Sequence, residues 1–295
     1  MATAFSISSL HCTNFKAVAR ALTIVENELN GAENLLKNLS YNQQIPVIGI
    51  TGPPGAGKST LVNELIASLA VDGKKVAVLA IDPTSPFNFG SLLGDRIRMT
   101  PHFNRPDVFI RSVATRGSLG GLSAKIIEMT DVLRAAEFDY VIVETVGVGQ
   151  SEVEIAGLAD ITVVVLVPES GDEVQNLKSG LMEIADAFVI NKADRDGADL
   201  FTANLKKILS QKQDIPVLKT IATTRTGIDD LVAFIYSHKN ITNDRRKLLL
   251  AEQAYRLIQQ RRMRDIDKKK LRQQIAEAMQ KKDFNLYAFA YSVSG

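Results

Sequence analysis

Tryptophan is absent from this chain, and cysteine occurs once, at Cys12. One cysteine excludes an intrachain disulfide, so the fold has to rely on packing. Histidine is almost as scarce, with His11, His102 and His238 scattered along the chain. That argues against a Cys/His metal cluster. The neighbouring His11 and Cys12 are too few ligands to make one, and Cys12 reads as an inert thiol. There is no excess charge of one sign: the net charge is +2 at pH 7, so composition calls for neither nucleic acid nor a membrane surface. No apolar run approaches the ~20 residues that cross a bilayer. The first twenty residues hold no acid and several serines, as transit peptides do. They have no long apolar core or small-residue cleavage site, so a secretory signal is not expected and a cytoplasmic protein is.

What is present is more telling. The run Gly52-Pro-Pro-Gly55-Ala56-Gly57-Lys58-Ser59-Thr60 lies between the apolar segment Val47–Ile50 and the helix-like segment Leu61–Ile66. Strand, glycine-rich turn and helix follow in that order with GxxxxGK[ST] spacing. Glycines let successive backbone N–H groups face one point, and a helix N-terminus adds partial positive charge there. A phosphate chain fits that nest. Lys58 reaches the outer phosphates, and the Ser59 hydroxyl is suited to Mg²⁺. The reading is a nucleoside triphosphate site with Mg²⁺.

An apolar fraction of 45% over 295 residues supplies a large core, for one domain with extensions. Phe15, Val18, Leu22, Val25 and Leu29 recur at helical spacing and predict an amphipathic helix over 13–30, with a second short helix around Leu35, Leu36 and Leu39. Strands are predicted at 47–50, 75–81, 108–113, 140–144, 161–167, 187–191 and 216–218. Helices are predicted near 59–71, 122–136, 174–182, 198–210 and 227–237. Several strands are unbroken apolar runs, as buried parallel strands are. The fold class is therefore α/β, a doubly wound, mostly parallel sheet with sites at the carboxyl ends of its strands. Residues 241–282 carry 13 Lys and Arg against 5 Asp and Glu, with no Pro or Gly. One long helix or two joined helices fit that stretch. The division expected is a helical extension over 1–40, a nucleotide-binding domain over 41–240 and a helical arm over 241–295.

Three further elements complete the predicted site. Asn191-Lys192-Ala193-Asp194 follows an apolar strand, and a carboxylate at Asp194 matches the ring N–H and exocyclic amine of guanine. Adenine offers an acceptor at the first of these positions. With each charge-assisted hydrogen bond worth roughly 1.5–3 kcal/mol, Asp194 selects GTP over ATP. The Lys192 stem covers the base, Asn191 ties loops together, and the Ile221-Ala222 turn offers a backbone contact to the base oxygen. Glu144-Thr-Val-Gly147-Val-Gly149-Gln150 places an acid at a strand end, where Mg²⁺ and its waters need one, and Gly147 close to a γ-phosphate. Asp82 ends another strand, and Asp95 sits in the run Gly94-Asp-Arg-Ile-Arg98. Both are candidate metal-side carboxylates, and Asp95 fits a helix cap equally well. Arg96, Arg98, Arg111 and Arg116 are candidates for a transition-state arginine, none of them singled out. Gln150 and Glu144 are candidates to orient water. The set implies slow hydrolysis by the chain alone.

With the phosphate loop, Asp82-Pro-Thr-Ser-Pro86, Leu-Gly-Asp95-Arg-Ile-Arg-Met99, Glu144-Thr-Val-Gly-Val-Gly-Gln150 and Asn191-Lys-Ala-Asp194 in this order, the chain resembles the MeaB/ArgK family. These are GTPases associated with methylmalonyl-CoA mutase, within the SIMIBI class of nucleotide-dependent switches. Ala17–Thr23, Ser112–Leu122 and Gln175–Asp186 match as well, so the likeness covers nearly the whole chain. The resemblance implies a homodimer helped by the C-terminal arm. It implies a GTP/GDP- and Mg²⁺-dependent chaperone that gates cofactor loading of an adenosylcobalamin-dependent acyl-CoA mutase and protects or reactivates it. By position it implies catalytic roles for Lys58, Glu144 and Asp95. It implies phosphate and metal contacts at Lys58, Ser59 and Thr60, a Mg²⁺ environment of Asp82, Asp95 and Glu144, and guanine reading by Asn191, Lys192 and Asp194. Residues 175–186 resemble a further switch. Ile221-Ala222 departs from the usual Ser-Ala, which bears on the fine geometry of base binding.

Other readings remain open on the sequence. A nickel metallochaperone GTPase predicts Cys or His clusters near the phosphate loop, which this chain lacks. A nucleic-acid-binding GTPase would use the basic 241–282 stretch, but aromatics for stacking are nearly absent there. A GTP-dependent scaffold with negligible turnover is the reading without catalysis.

Overall fold

The computed structural model describes residues 5–40, 45–71, 73–82, 99–114, 124–145, 151–170, 179–210, 215–238, 244–263, 266–280 and 284–293. Seven strands form one sheet: β1 (Val47–Thr51), β2 (Val76–Asp82), β3 (Val108–Ala114), β4 (Tyr140–Glu144), β5 (Ile161–Leu166), β6 (Ala187–Ile190) and β7 (Val217–Lys219). The order is β3-β2-β4-β1-β5-β6-β7, and every neighbouring pair is parallel. Each strand lies where an apolar run predicts it, within a residue or two at either end. Because β1 sits between β4 and β5, the loops leaving their carboxyl ends converge, and that is where doubly wound sheets hold ligands.

Helices cover both faces: α1 (Phe15–Glu26), α2 (Ala32–Lys37), α3 (Lys58–Leu69), α4 (Ala124–Ala135), α5 (Ser151–Leu158), α6 (Ser179–Ile184), α7 (Ala198–Leu209) and α8 (Ile228–His238). Alternation along the strands decides which face each side chain meets. Ile48 and Ile50 of β1, Val78 of β2 and Ile142 of β4 pack with Leu61, Leu65, Leu231 and Ile235 of α3 and α8. Val47, Leu79, Val141 and Val143 meet α1, α4 and α5 on the other face. A third cluster joins β5, β6 and β7 to α6 and α7.

α1 opens at Asn14, whose side chain accepts the Ala17 amide at 3.1 Å and caps the helix. Val18, Ala21, Leu22 and Val25 are its buried stripe. Phe15 meets Phe109 edge-on at 5.5 Å, and Cys12 lies buried in the same cluster. Burial pushes the Cys12 thiol up, which keeps it protonated and unreactive.

α5 has no counterpart among the predicted helices. Ile155 and Leu158 pack with β1 and β4, while Ala156 packs with β5 and α6. Its apolar residues are shared between two clusters on different sides, so its sequence shows no single apolar stripe of helical period. The predicted helix at 174–182 is described only as α6, since residues 171–178 lie outside the described set.

The chain divides into two compact units, Met1–Arg246 and Lys247–Gly295. In the C-terminal part α9 (Asp244–Arg262) and α10 (Lys268–Ala278) are separate helices, followed by α11 (Leu286–Val293). Asp267 Oδ1 accepts the amides of Lys269 at 2.7 Å and Lys270 at 3.3 Å, an N-cap that starts α10. Leu250, Tyr255, Ile258, Met263, Tyr287 and Tyr291 are exposed here. Among the described residues no helix is long and apolar enough to cross a membrane.

Candidate functional site

β1 ends at Thr51, and residues 52–57 turn the chain into α3. Gly52 has φ +138°, and a Cβ there would stand 2.0 Å from the Val165 carbonyl oxygen, so the loop leaves β1 pressed against β5. Gly57 has φ +84° and is the N-cap of α3. A Cβ there would stand 2.4 Å from Asn191 Nδ2. Both positions require glycine for backbone conformation and for space. Gly57 has no side chain to cap with, and the first turn of α3 holds no acid. The helix end therefore presents amides and positive dipole with nothing anionic of its own beside them.

Lys58 folds back over the loop. Its Nζ donates to the carbonyls of Gly52 at 2.8 Å and Pro53 at 2.9 Å. Glu144 ends β4 with the same side-chain parity as Tyr140 and Ile142, so its carboxylate points toward α3. There Ser59 Oγ donates to Glu144 Oε1 at 2.6 Å, with both side chains buried. Beside them Thr145 Oγ1 donates to Thr51 Oγ1 at 2.9 Å, and the Thr145 amide donates to the Ile50 carbonyl at 3.0 Å. The ends of β1 and β4 are thus locked side by side.

The loop after β6 closes the other flank. Asn191 is 2% exposed. Its Nδ2 donates to the Ala56 carbonyl at 2.9 Å, and its Oδ1 accepts the Thr220 hydroxyl at 3.1 Å and the Ala222 amide at 3.2 Å. One amide side chain therefore joins the phosphate loop, the loop after β6 and the 220–222 turn. Lys192 has φ +55°, a strained conformation for a residue with a side chain, and its Nζ donates to the Gly55 carbonyl at 2.8 Å. Its stem is laid across the mouth of the phosphate loop. Asp194 is exposed beside it. Arg195 pairs with Glu169, just after β5, and that hydrogen bond holds the Glu169 carboxyl below its usual range.

The structure thus brings together Gly52, Gly55, Ala56, Gly57, Lys58, Ser59, Thr60, Glu144, Asn191, Lys192, Asp194 and Ala222 around one set of loops. The Ala222 amide, the expected contact to a base oxygen, donates here to Asn191. Asp82 ends β2, and its side chain lies outside the described residues, as do Asp95, Gly147, Arg96, Arg98, Arg116 and Gln150. Arg111, one of the transition-state candidates, is held elsewhere: its Nη2 donates to Glu26 Oε2 of α1 at 2.6 Å. The Thr51–Thr145 pair and the Arg195–Glu169 pair have no sequence signal. They follow from strand register and loop packing, and no motif spacing records either.

The residues fit a nucleoside triphosphate with Mg²⁺. The phosphate loop excludes Cβ atoms at two points, an uncapped helix end and Lys58 supply donors, and Ser59 with Glu144 supply a hydroxyl and a carboxylate for a hard cation.

Comparison with known proteins agrees with this chemistry. Residues 18–282 match the family model described as methylmalonyl-CoA mutase-associated GTPase MeaB. A putative GTPase of Pyrococcus horikoshii is 47% identical over 242 residues, covering 79% of this chain and 76% of that protein. GTPase ArgK of Escherichia coli (strain K12) is 39% identical over 240 residues, covering 77% of this chain and 72% of that protein. A solved structure described as an LAO/AO transport system kinase matches with a TM-score of 0.68 at 27% identity, over 98% of this chain and 95% of that one.

Proposed function

This chain belongs to the MeaB family of methylmalonyl-CoA mutase-associated GTPases, and from that membership we propose that it is a GTP-hydrolysing chaperone of an adenosylcobalamin-dependent acyl-CoA mutase. It gates loading of the mutase's cofactor and protects or reactivates the mutase. The observation that carries the nucleotide part is the Asn191 side chain bonded to the phosphate loop through Ala56 and to the base-side turn through Thr220 and Ala222. Phosphate binding and base reading then share one rigid junction.

In this reading the loop amides and the Lys58 ammonium hold the phosphates. Lys58 exchanges its two carbonyl partners for phosphate oxygens. Ser59 and Glu144 hold the magnesium side together with Asp82 and Asp95. A magnesium ion held there would supply charge neutralisation for the phosphoryl transfer. Lys192 covers the base, and Asp194 accepts from guanine's N–H groups. Turnover by the chain alone is slow, and the mutase changes it. Dimerisation uses residues 241–295, where exposed apolar side chains recur on α9 and α11. The working compartment is the cytoplasm, and neither nucleic acid nor membrane is a partner.

The deciding experiment is GTP turnover by the full chain, alone and with a purified methylmalonyl-CoA mutase-type enzyme. The expected result is slow Mg²⁺-dependent hydrolysis whose rate shifts when the mutase is added. Turnover that is negligible in both conditions turns the reading into that of a GTP-dependent scaffold. A rate indifferent to the mutase removes the partner. Truncation after residue 240 is expected to give a monomer by light scattering, and a dimer would reject the arm's role.

A further inference from the structure

The turn after β7 is closed by Arg225, a non-glycine residue in the left-handed region at φ +61°. That conformation is unfavourable for a side-chain-bearing residue and persists where the surroundings hold it. Part of the hold is backbone: Arg225 N–H donates to the Ala222 carbonyl at 3.3 Å, and Ile221 N–H to the Thr226 carbonyl at 3.0 Å. A further hold is the guanidinium, which leaves the turn and lies on α3. Its Nη1 sits 3.2 Å from Glu64 Oε2, and its Nη2 donates to Ser68 Oγ at 2.9 Å. Glu64 and Ser68 follow Thr60 at successive helical repeats, so all three share one face of α3. Thr60 is at the phosphate end of that face. The same turn is attached at its other side by Asn191, which takes the Ala222 amide and reaches the Ala56 carbonyl. The base-side turn is therefore fastened twice to the unit formed by the phosphate loop and α3. One fastening is buried, and the other lies at the surface.

We propose that Arg225 is a positioning residue for guanine-nucleotide binding, clamping the Ala222 turn to the Thr60–Glu64–Ser68 face of α3 so that the base-side turn keeps its distance from the phosphate-binding helix end. The inference rests on the GTP-site reading above. The Arg225 side chain is 52% exposed, so the ion pair contributes little to global stability, and its effect is on the geometry of the turn. A loosened turn costs affinity for every nucleotide that carries the base, whatever its phosphate count. It leaves the chemistry at Ser59 and Glu144 alone.

The test is calorimetric titration of the full chain with GTP and with GDP, together with steady-state GTP hydrolysis. Arg225→Asn suits it, because asparagine tolerates a positive φ but cannot reach α3. The double variant Glu64→Ala/Ser68→Ala removes the clamp from the helix side and leaves the turn untouched. Both are expected to weaken GTP and GDP by the same factor, roughly fivefold. KM is expected to rise in step while kcat holds, and the triple variant to be no worse than either. Wild-type affinities in Arg225→Asn overturn the clamp while leaving the GTP reading intact. So does a loss confined to GTP, a fall in kcat, or a loss that the Glu64/Ser68 variant fails to reproduce. Should Arg225→Asn not fold, the Glu64/Ser68 variant decides alone. A wild-type chain that binds neither nucleotide overturns the site reading itself and the clamp with it.

Discussion

Ser59 on the first turn of α3 and Glu144 at the end of β4, 85 residues apart in sequence, share a 2.6 Å hydrogen bond in the buried space beside the phosphate loop. A hydroxyl and a carboxylate at that distance, next to a helix N-terminus, are donors of the kind a hard cation would take. Ser59→Ala is expected to raise the Mg²⁺ concentration needed for half-maximal GTP hydrolysis by roughly tenfold or more. Glu144→Gln is expected to lower turnover while GDP affinity measured without Mg²⁺ stays within about twofold. An unchanged Mg²⁺ titration in both variants would remove them from the metal side.

Asn191 and Gly57 test the junction between loops. Asn191→Ala leaves the Thr220 hydroxyl, the Ala222 amide and the Ala56 carbonyl without their partner. Each buried group left unmatched costs about 1–3 kcal/mol. The expected outcome is a lower Tm together with loss of guanine-nucleotide binding. Gly57→Ala puts a Cβ 2.4 Å from Asn191 Nδ2 at φ +84°. It is expected to weaken nucleotide binding roughly tenfold, through about 1–2 kcal/mol of strain. Calorimetry showing normal binding in Gly57→Ala would mean that the loop tolerates what its geometry forbids.

Asp194 is exposed, and the sequence expects it to accept from guanine's ring N–H and exocyclic amine. Asp194→Asn replaces one acceptor by a donor. The expected result is loss of preference for GTP over ATP by roughly tenfold or more, with a gain for xanthosine triphosphate, which carries a carbonyl where guanine has its amine. Competition titrations with the three nucleotides read this directly, and an unchanged GTP/ATP ratio would reject the assignment.

His102 gives the fold a pH signature. Its Nε2 donates to the Asn63 carbonyl at 3.0 Å. Burial is the main cause that holds its pKa below 6.5, and Arg105 adds to the lowering. The Asn63 hydrogen bond, Glu64 and Asp107 act in the opposite direction. Above about pH 6.5 the ring is neutral in folded and unfolded chains alike, and its contribution is fully present. As pH falls through that value the unfolded chain takes up the proton first, so stability declines until the folded pKa is reached. The urea midpoint is expected to fall more steeply below pH 6.5 in the wild type than in His102→Gln. Parallel curves would show that the ring contributes no linkage.

Much of the fold and the site is legible in the residue order alone. Buried parallel strands are unbroken apolar runs, and all seven can be located for that reason. The phosphate loop and the Asn191–Asp194 element are legible because each packs its chemistry into a few consecutive residues flanked by a strand. α5 is not, because its apolar residues are shared between two clusters and form no single stripe of helical period. Arg111 offers no clue that its charge belongs to Glu26 of α1, since only the packing of α1 beside β3 brings those side chains together.

The amino-acid order by itself determined where a phosphate-type backbone nest lies and which carboxylate is expected to recognise guanine, because both depend on residues that are neighbours along the chain. The packed sheet decided that Ser59 meets Glu144, that Asn191 reaches Ala56 across 135 residues, and that Arg225 reaches back 161 residues to Glu64. A parallel sheet sets the carboxyl ends of distant strands side by side, and that adjacency is a property of strand order and register, which no local spacing encodes.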